Sequence, residues 1–273
     1  MAECNHDCEH CGMADSCGSK IEKAKLNERS KIKKIIGVLS GKGGVGKSYI
    51  TSTLAVYLNR QGYKVGILDA DITGPSIPKA FGIKDKAYGE DNLIYPLVSN
   101  GGIKLISANC LLENDSDPIV WRGPLLGGLI KQFYEDVLWE ELDYLLIDMP
   151  PGTGDVALTV FQQLPVDDLI IVTSPQDLVS LIVTKAIKMA NMMNIKVLGV
   201  IENMSYLVCP DCGKKINLFG ESHLEEFAKE MNFDILAKLP LVSENTVLVD
   251  NGKVEQVVLN EILPAVEAIK KEK

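Results

Sequence analysis

The chain has 273 residues, 46% of them hydrophobic and 24% charged, with a formal net charge of −9 at pH 7. That length buries a full core in one large domain with room for an appendage. The acidic balance argues against broad electrostatic binding to nucleic acid or to an anionic membrane.

No run of about 18 apolar residues occurs, which argues against a transmembrane helix. The start, Met1–Asp7, lacks the basic and apolar regions of a secretory signal, so a cytoplasmic location is expected. Residues 1–19 are polar and cysteine-rich, without hydrophobic periodicity, and read as a metal-binding tail. Residues 20–34 are highly charged and read as a linker or solvated helix. The globular domain, 35–273, is expected to open with a strand at Ile35–Leu39, followed by a helix at 47–61 and a strand at Val65–Asp69. Residues 72–100 look irregular, with a short helix near Ile77–Phe81. A strand at Ile103–Ser107, a helix at Leu125–Leu138 and a buried strand at Leu145–Asp148 come next. A helix at 155–164, a strand at Leu169–Thr173, a helix at 178–193 and a strand at Val197–Ile201 follow. The chain closes with a helix at 221–231, a strand at Ile235–Leu239 and a final helix at 254–270. Near-continuous apolar strands alternating with helices predict an α/β fold, a mostly parallel sheet covered by helices on both faces. Ligands of such sheets gather at the carboxyl ends of the strands.

Between the first strand and the first helix lies Gly41-Lys42-Gly43-Gly44-Val45-Gly46-Lys47-Ser48. It fits the P-loop template G-x-x-x-x-G-K-[ST] in the strand–loop–helix setting that template needs. Its glycines let the backbone aim N–H groups at an anion, and the helix adds its positive end. Lys47 would reach the β- and γ-phosphates of ATP, and the Ser48 hydroxyl would ligate Mg²⁺. Asp69 and Asp71 flank Ala70 at the end of the second strand, and Asp148 ends the strand Leu145–Asp148, each a candidate direct or water-mediated partner of a nucleotide-bound Mg²⁺. Asp148 fits a Walker B role, and Asp71 is suited to orient an attacking water. Asp155 is expected to cap a helix. Asn203, after Val197–Ile201, could read an adenine edge or simply form a turn.

Of seven cysteines, six fall in two clusters. Clustered cysteines in a reducing compartment point to metal or redox chemistry rather than disulfides. Cys209-Pro210-Asp211-Cys212 offers two thiolates, half of a tetrahedral site, which the same pair from a second subunit could complete. The tail carries Cys4, Cys8, Cys11 and Cys17, enough for one iron–sulfur cluster or one zinc, and spacing alone does not choose. Cys110 reads as buried and apolar, His223 as a surface residue. Met189, Met192 and Met193 read as core filler.

Together these motifs resemble the Mrp/ApbC family of iron–sulfur cluster carrier ATPases, relatives of MinD, ParA and nitrogenase iron protein. The resemblance runs from about residue 34 to the end. It is carried by Gly41–Ser48, Asp69-Ala70-Asp71 with Gly74-Pro75-Ser76-Ile77-Pro78, Trp121-Arg122-Gly123-Pro124 and Asp148–Asp155. It continues through Thr173-Ser174-Pro175-Gln176, Glu202-Asn203-Met204-Ser205 and Cys209–Cys212. The resemblance implies that Lys42 is the signature lysine reaching the partner subunit's nucleotide, Asp71 the switch aspartate and Asn203 the base-reading residue. It implies that Cys209 and Cys212 bridge one 4Fe–4S cluster across a homodimer. The implied activity is slow ATP hydrolysis coupled to assembling that cluster and handing it to apo-proteins. The tail is similar to the N-terminal motif of eukaryotic cytosolic nucleotide-binding scaffolds in Cys8, Cys11 and Cys17. Cys4 departs from that motif's distant first ligand, and Thr73 replaces the family's usual tyrosine. Three rival readings differ in what they would need. A MinD- or ParA-like positioning ATPase wants an amphipathic C-terminal helix or a basic face. An ATP-driven electron-transfer protein wants its cysteines on different loops, and a zinc-binding regulatory ATPase wants zinc at the cysteines.

Overall fold

A computed structural model describes residues 23–71, 76–111, 123–175 and 179–271. The tail cysteines Cys4, Cys8, Cys11 and Cys17, together with Thr73, Trp121 and Arg122, lie outside the described residues. The first half of the chain forms β1 (Lys31–Ser40), α1 (Lys47–Arg60), β2 (Val65–Asp69), α2 (Ile77–Ala80), β3 (Tyr88–Glu90), β4 (Leu93–Tyr95), β5 (Leu97–Val98) and β6 (Lys104–Ser107). The second half forms α3 (Gly123–Glu135), β7 (Glu141–Asp148), α4 (Asp155–Gln163), β8 (Asp168–Thr173), α5 (Val179–Met192), β9 (Lys196–Val208), β10 (Lys215–Ile216), α6 (Leu224–Met231), β11 (Ile235–Pro240), α7 (Ser243–Asp250) and α8 (Leu263–Lys270).

Among the described residues one nine-stranded sheet runs β10-β9-β8-β1-β7-β2-β6-β5, with β11 also against β9. Its inner pairs are all parallel; β10 and β5 add antiparallel ends. Every residue of β2 and β8 is buried, as expected for strands covered on both faces. Among the described residues, Trp139, Phe133 and Phe161 are the largest fully buried side chains. The register brings the strand ends together: Asp148 lies opposite Val38 of β1 and Asp69 of β2, and Thr173 lies opposite Glu202. The P-loop leaves β1 at the middle of this row.

Several elements differ from the sequence reading. The first strand begins at Lys31, not Ile35, because Lys31–Lys34 pair with Glu141–Tyr144 of β7. The charged segment before it, in its described part, straps the ends of two helices. Lys23 donates to the Phe161 and Leu164 carbonyls near the end of α4, and Asn27 donates to the Glu135 and Val137 carbonyls after α3. These are the orphan acceptors every helix end leaves. Residues 72–100 include the β3–β4 hairpin, whose Tyr88 and Tyr95 rings stack 4.7 Å apart. Strand β9 does not stop at Ile201 but continues to Val208, so Asn203 lies within it. The expected helix at 254–270 is two 3₁₀ turns followed by α8, while α7 had no counterpart in the sequence reading. Met192 is 80% exposed rather than core, unlike Met189, which is buried. Cys110 is buried and His223 lies at the surface, as expected.

Candidate functional site

The Gly41–Ser48 loop curls because two of its glycines take left-handed backbone, Gly44 at φ 79° and Gly46 at φ 82°. Gly46 directly precedes α1, and a Cβ there would stand 2.3 Å from the Asn203 amide nitrogen, so only glycine fits. The first turn of α1 carries no acidic residue and no side-chain cap, which leaves its N–H groups to face an anion. A cavity of about 410 Å³ is lined by Gly43, Gly44, Gly46, Lys47 and Ser48 together with Asp71, Ser76 and Lys79. A Cβ at Gly43 or Gly44 would meet nothing within 4 Å. A backbone cradle of this shape fits a nucleotide's phosphates.

Lys47 and Ser48, which line the cavity, are held by Asp148, which is fully buried. Its Oδ2 lies 2.8 Å from the Lys47 ammonium and accepts from the Ser48 hydroxyl at 2.6 Å; its Oδ1 accepts from Thr51 at 2.7 Å. Asp71 Oδ2 stands 3.3 Å from the same Lys47 ammonium. Ser48, Asp148 and Asp71 thus gather hard oxygen donors around one cation, a donor set suited to Mg²⁺. Asp69 plays another part. Burial pushes its carboxyl well above the usual range, the neighbouring Asp148 charge adds to this, and Lys47 opposes it. Its Oδ1 accepts the Asp71 N–H at 3.1 Å, and the nearby Ser107 hydroxyl also opposes the shift.

Beside the phosphate cradle a second cavity, about 200 Å³, is lined by Gly44, Gly46, Tyr49, Asn203, Met204 and residues of the β11–α7 region. The buried Asn203 amide donates to the Val45 carbonyl at 2.9 Å, so the P-loop is fastened to β9 at this point. A small, largely apolar slot with one amide at its wall suits a purine base. Lys42 sits half-buried on the loop, its carbonyl accepting from Ser40 at 3.0 Å.

At the far end of β9 the chain reverses through Cys209-Pro210-Asp211-Cys212-Gly213 into β10. The turn is closed by Cys209 N–H to Lys214 O at 3.0 Å and Gly213 N–H to Cys209 O at 2.9 Å. The Cys212 N–H, then the Asp211 N–H and the Cys212 thiol, point at the Cys209 sulfur and pull its thiol below the usual range. Cys212 is exposed and Cys209 half-buried. Among the described residues no third His, Cys, Asp or Glu joins them in a metal-holding group. Val208, Ile216, Leu218 and Phe219, close to the pair in sequence, are each between 41% and 46% exposed.

Sequence reasoning missed Thr51, Lys79 and the α7 residues Thr246 and Val249. Thr51 was findable in principle: it lies three positions after Ser48 on one helix, hence on the same face.

Residues 31–272 match the ParA family described as NUBPL iron-transfer P-loop NTPase. The chain belongs to this family. An iron–sulfur cluster carrier protein of Clostridium perfringens is 46% identical over 92% of this chain and 94% of its own length. One from Methanocaldococcus jannaschii is 49% identical over 88% of this chain and 86% of its own. Among solved structures, an Archaeoglobus fulgidus nucleotide-binding protein in complex with ADP is 45% identical, with a TM-score of 0.75 over 82% of this chain and 88% of that one. The cell division ATPase MinD of Pyrococcus furiosus, 21% identical with a TM-score of 0.63, shares the fold of this NUBPL-type NTPase over 87% of the chain and 98% of its own. Among the described residues no helix is long and apolar enough to cross a membrane.

Proposed function

We propose that the protein is a weak ATPase that assembles a 4Fe–4S cluster between two copies of itself and passes it to apo-proteins in the cytoplasm. The observation that carries this reading is the Cys209–Cys212 turn, one half-buried and one exposed thiol with no third ligand among the described residues, at the end of a strand fastened to a P-loop. A second copy of the pair completes a four-thiolate set by symmetry. The relatives' names, iron–sulfur cluster carrier protein, support the cargo.

In this reading the Gly43–Gly46 backbone and the start of α1 bind the phosphates, and Asn203 faces the base. Lys47 neutralises the β- and γ-phosphates, while Lys42 reaches toward the partner's nucleotide. Ser48 and Asp148 hold Mg²⁺, which supplies charge neutralisation at the phosphates. Asp71 orients the water that attacks the γ-phosphorus, and Asp69 fixes the Asp71 backbone. The Cys4, Cys8, Cys11 and Cys17 tail holds a second cluster or a zinc. The reading is tested by offering anaerobically reconstituted protein to an inactive apo 4Fe–4S enzyme. Wild type should restore its activity, and Cys209→Ala/Cys212→Ala should not. Equal restoration by the double variant would defeat the assignment.

A further inference from the structure

Glu202 is a buried carboxylate, 1% exposed, that belongs to neither the phosphate cradle nor the cysteine turn. It lies on β9 directly before Asn203. Its Oε2 accepts from the Ser205 hydroxyl and its Oε1 from the Ser222 hydroxyl, both at 2.5 Å. The Lys238 ammonium of β11 lies 4.0 Å from Oε2 and 2.6 Å from Glu225 of α6. A buried carboxylate is tolerated only when its oxygens are satisfied. Here the satisfying groups stand at two separate places.

Ser205 lies across an irregularity in the sheet. Strand β11 advances from Lys238 to Pro240 while β9 advances from Glu202 to Tyr206. Within that bulge Met204 adopts a left-handed φ of 54°. A side-chain-bearing residue is strained there and persists only where its surroundings fix it. The Ser205–Glu202 bond closes the bulge. Ser222 lies on the segment that returns from the cysteine turn to α6, and its oxygen also accepts the Leu224 N–H at 3.2 Å. One carboxylate therefore ties the root of the bulge to the chain leaving the cysteine turn. On its other side the bulge meets the nucleotide loop: Asn203 bonds the Val45 carbonyl and Met204 lines the base cavity.

We propose that Glu202 is a positioning residue that carries the state of the nucleotide loop to the Cys209–Cys212 turn, through the Met204 bulge and Ser222. Its meaning for cluster handling rests on the function proposed above; the coupling itself belongs to the chain. A base entering the cavity presses on Asn203 and Met204, the bulge shifts, and Glu202 moves Ser222, in the segment the chain enters on leaving the turn. The cysteines then feel which nucleotide is bound without touching it.

The test is the alkylation rate of Cys209 by iodoacetamide, read by peptide mass mapping of the full-length protein with and without Mg-ATP. Wild type should change rate with ATP about fivefold, the low end of measured couplings. Ser222→Ala should lose most of that response while binding ATP as wild type does. Ser222→Thr, which keeps the hydroxyl, should retain it, and so should Glu202→Gln, whose amide can bond both hydroxyls. A wild-type rate indifferent to ATP, or a Ser222→Ala response equal to wild type, overturns the proposal. Failure of wild type to take up a cluster would instead defeat the proposed function, and the alkylation response would still support the coupling.

Discussion

Thr51→Val removes one hydroxyl and almost nothing else. Thr51 is fully buried, and its Oγ1 sits 2.7 Å from Asp148 Oδ1 and 3.0 Å from the Lys47 carbonyl. The bond to the helix's own carbonyl contributes little. The bond to Asp148 is different, since it serves a buried charge, and losing a hydrogen bond to a charged group costs ~1.5–3 kcal/mol. Thermal midpoints of domains this size move about 2–4 °C per kcal/mol, so the variant should melt about 3–12 °C below wild type. Thr53→Val is the matched control. That hydroxyl is equally buried but serves the neutral Tyr49, through its carbonyl at 2.8 Å and its phenol group, so its midpoint should fall less than that of Thr51→Val. Differential scanning fluorimetry suffices. Equal midpoints for Thr51→Val and Thr53→Val would refute the claim that Thr51 holds the cradle's buried carboxylate.

Three other outcomes are expected. Gly46→Ala places a Cβ against the Asn203 amide in a left-handed position, so nucleotide binding measured by calorimetry should be lost; retained affinity would mean the loop does not cradle phosphate in this form. Asn203→Ala should weaken ATP about tenfold, the worth of ~1.4 kcal/mol of hydrogen bonding, and narrow discrimination against GTP; unchanged selectivity would remove Asn203 from base reading. The Cys209 thiol is depressed in the folded protein, so its thiolate persists to lower pH than in the unfolded chain, and is lost as pH falls through the folded value. Its alkylation near neutral pH should therefore outpace that of the urea-unfolded protein, and a slower folded rate would contradict the aimed N–H groups.

The cradle was legible because its chemistry is local: glycines, Lys47 and Ser48 are adjacent in sequence, between a strand and a helix. Asp148 was legible because a carboxylate ending an apolar run is conspicuous. Thr51 was not, because its partner is distant along the chain and threonine in a helix has many uses. The extension of β9 past Ile201 was hidden by Glu202, Asn203 and Ser205, polar residues buried against Lys238, Ser222 and the P-loop rather than exposed. Met204 at φ 54° breaks the alternation a strand reading relies on. Helix α7 is short and weakly patterned, and it takes its place from packing over the base cavity. The charged run before β1 read as a linker because its lysines suggest solvent, yet Lys23 and Asn27 spend their donors on helix ends.

The central claim is that Cys209 and Cys212 form half of a cluster site shared by two copies. Native mass spectrometry of the anaerobically reconstituted protein, with residues 1–19 deleted to silence the tail, tests it most directly. The expected species is a pair of chains carrying a single 4Fe–4S cluster, absent from Cys209→Ala/Cys212→Ala. A single chain holding the cluster, or a double variant with the same loaded mass, would contradict the account.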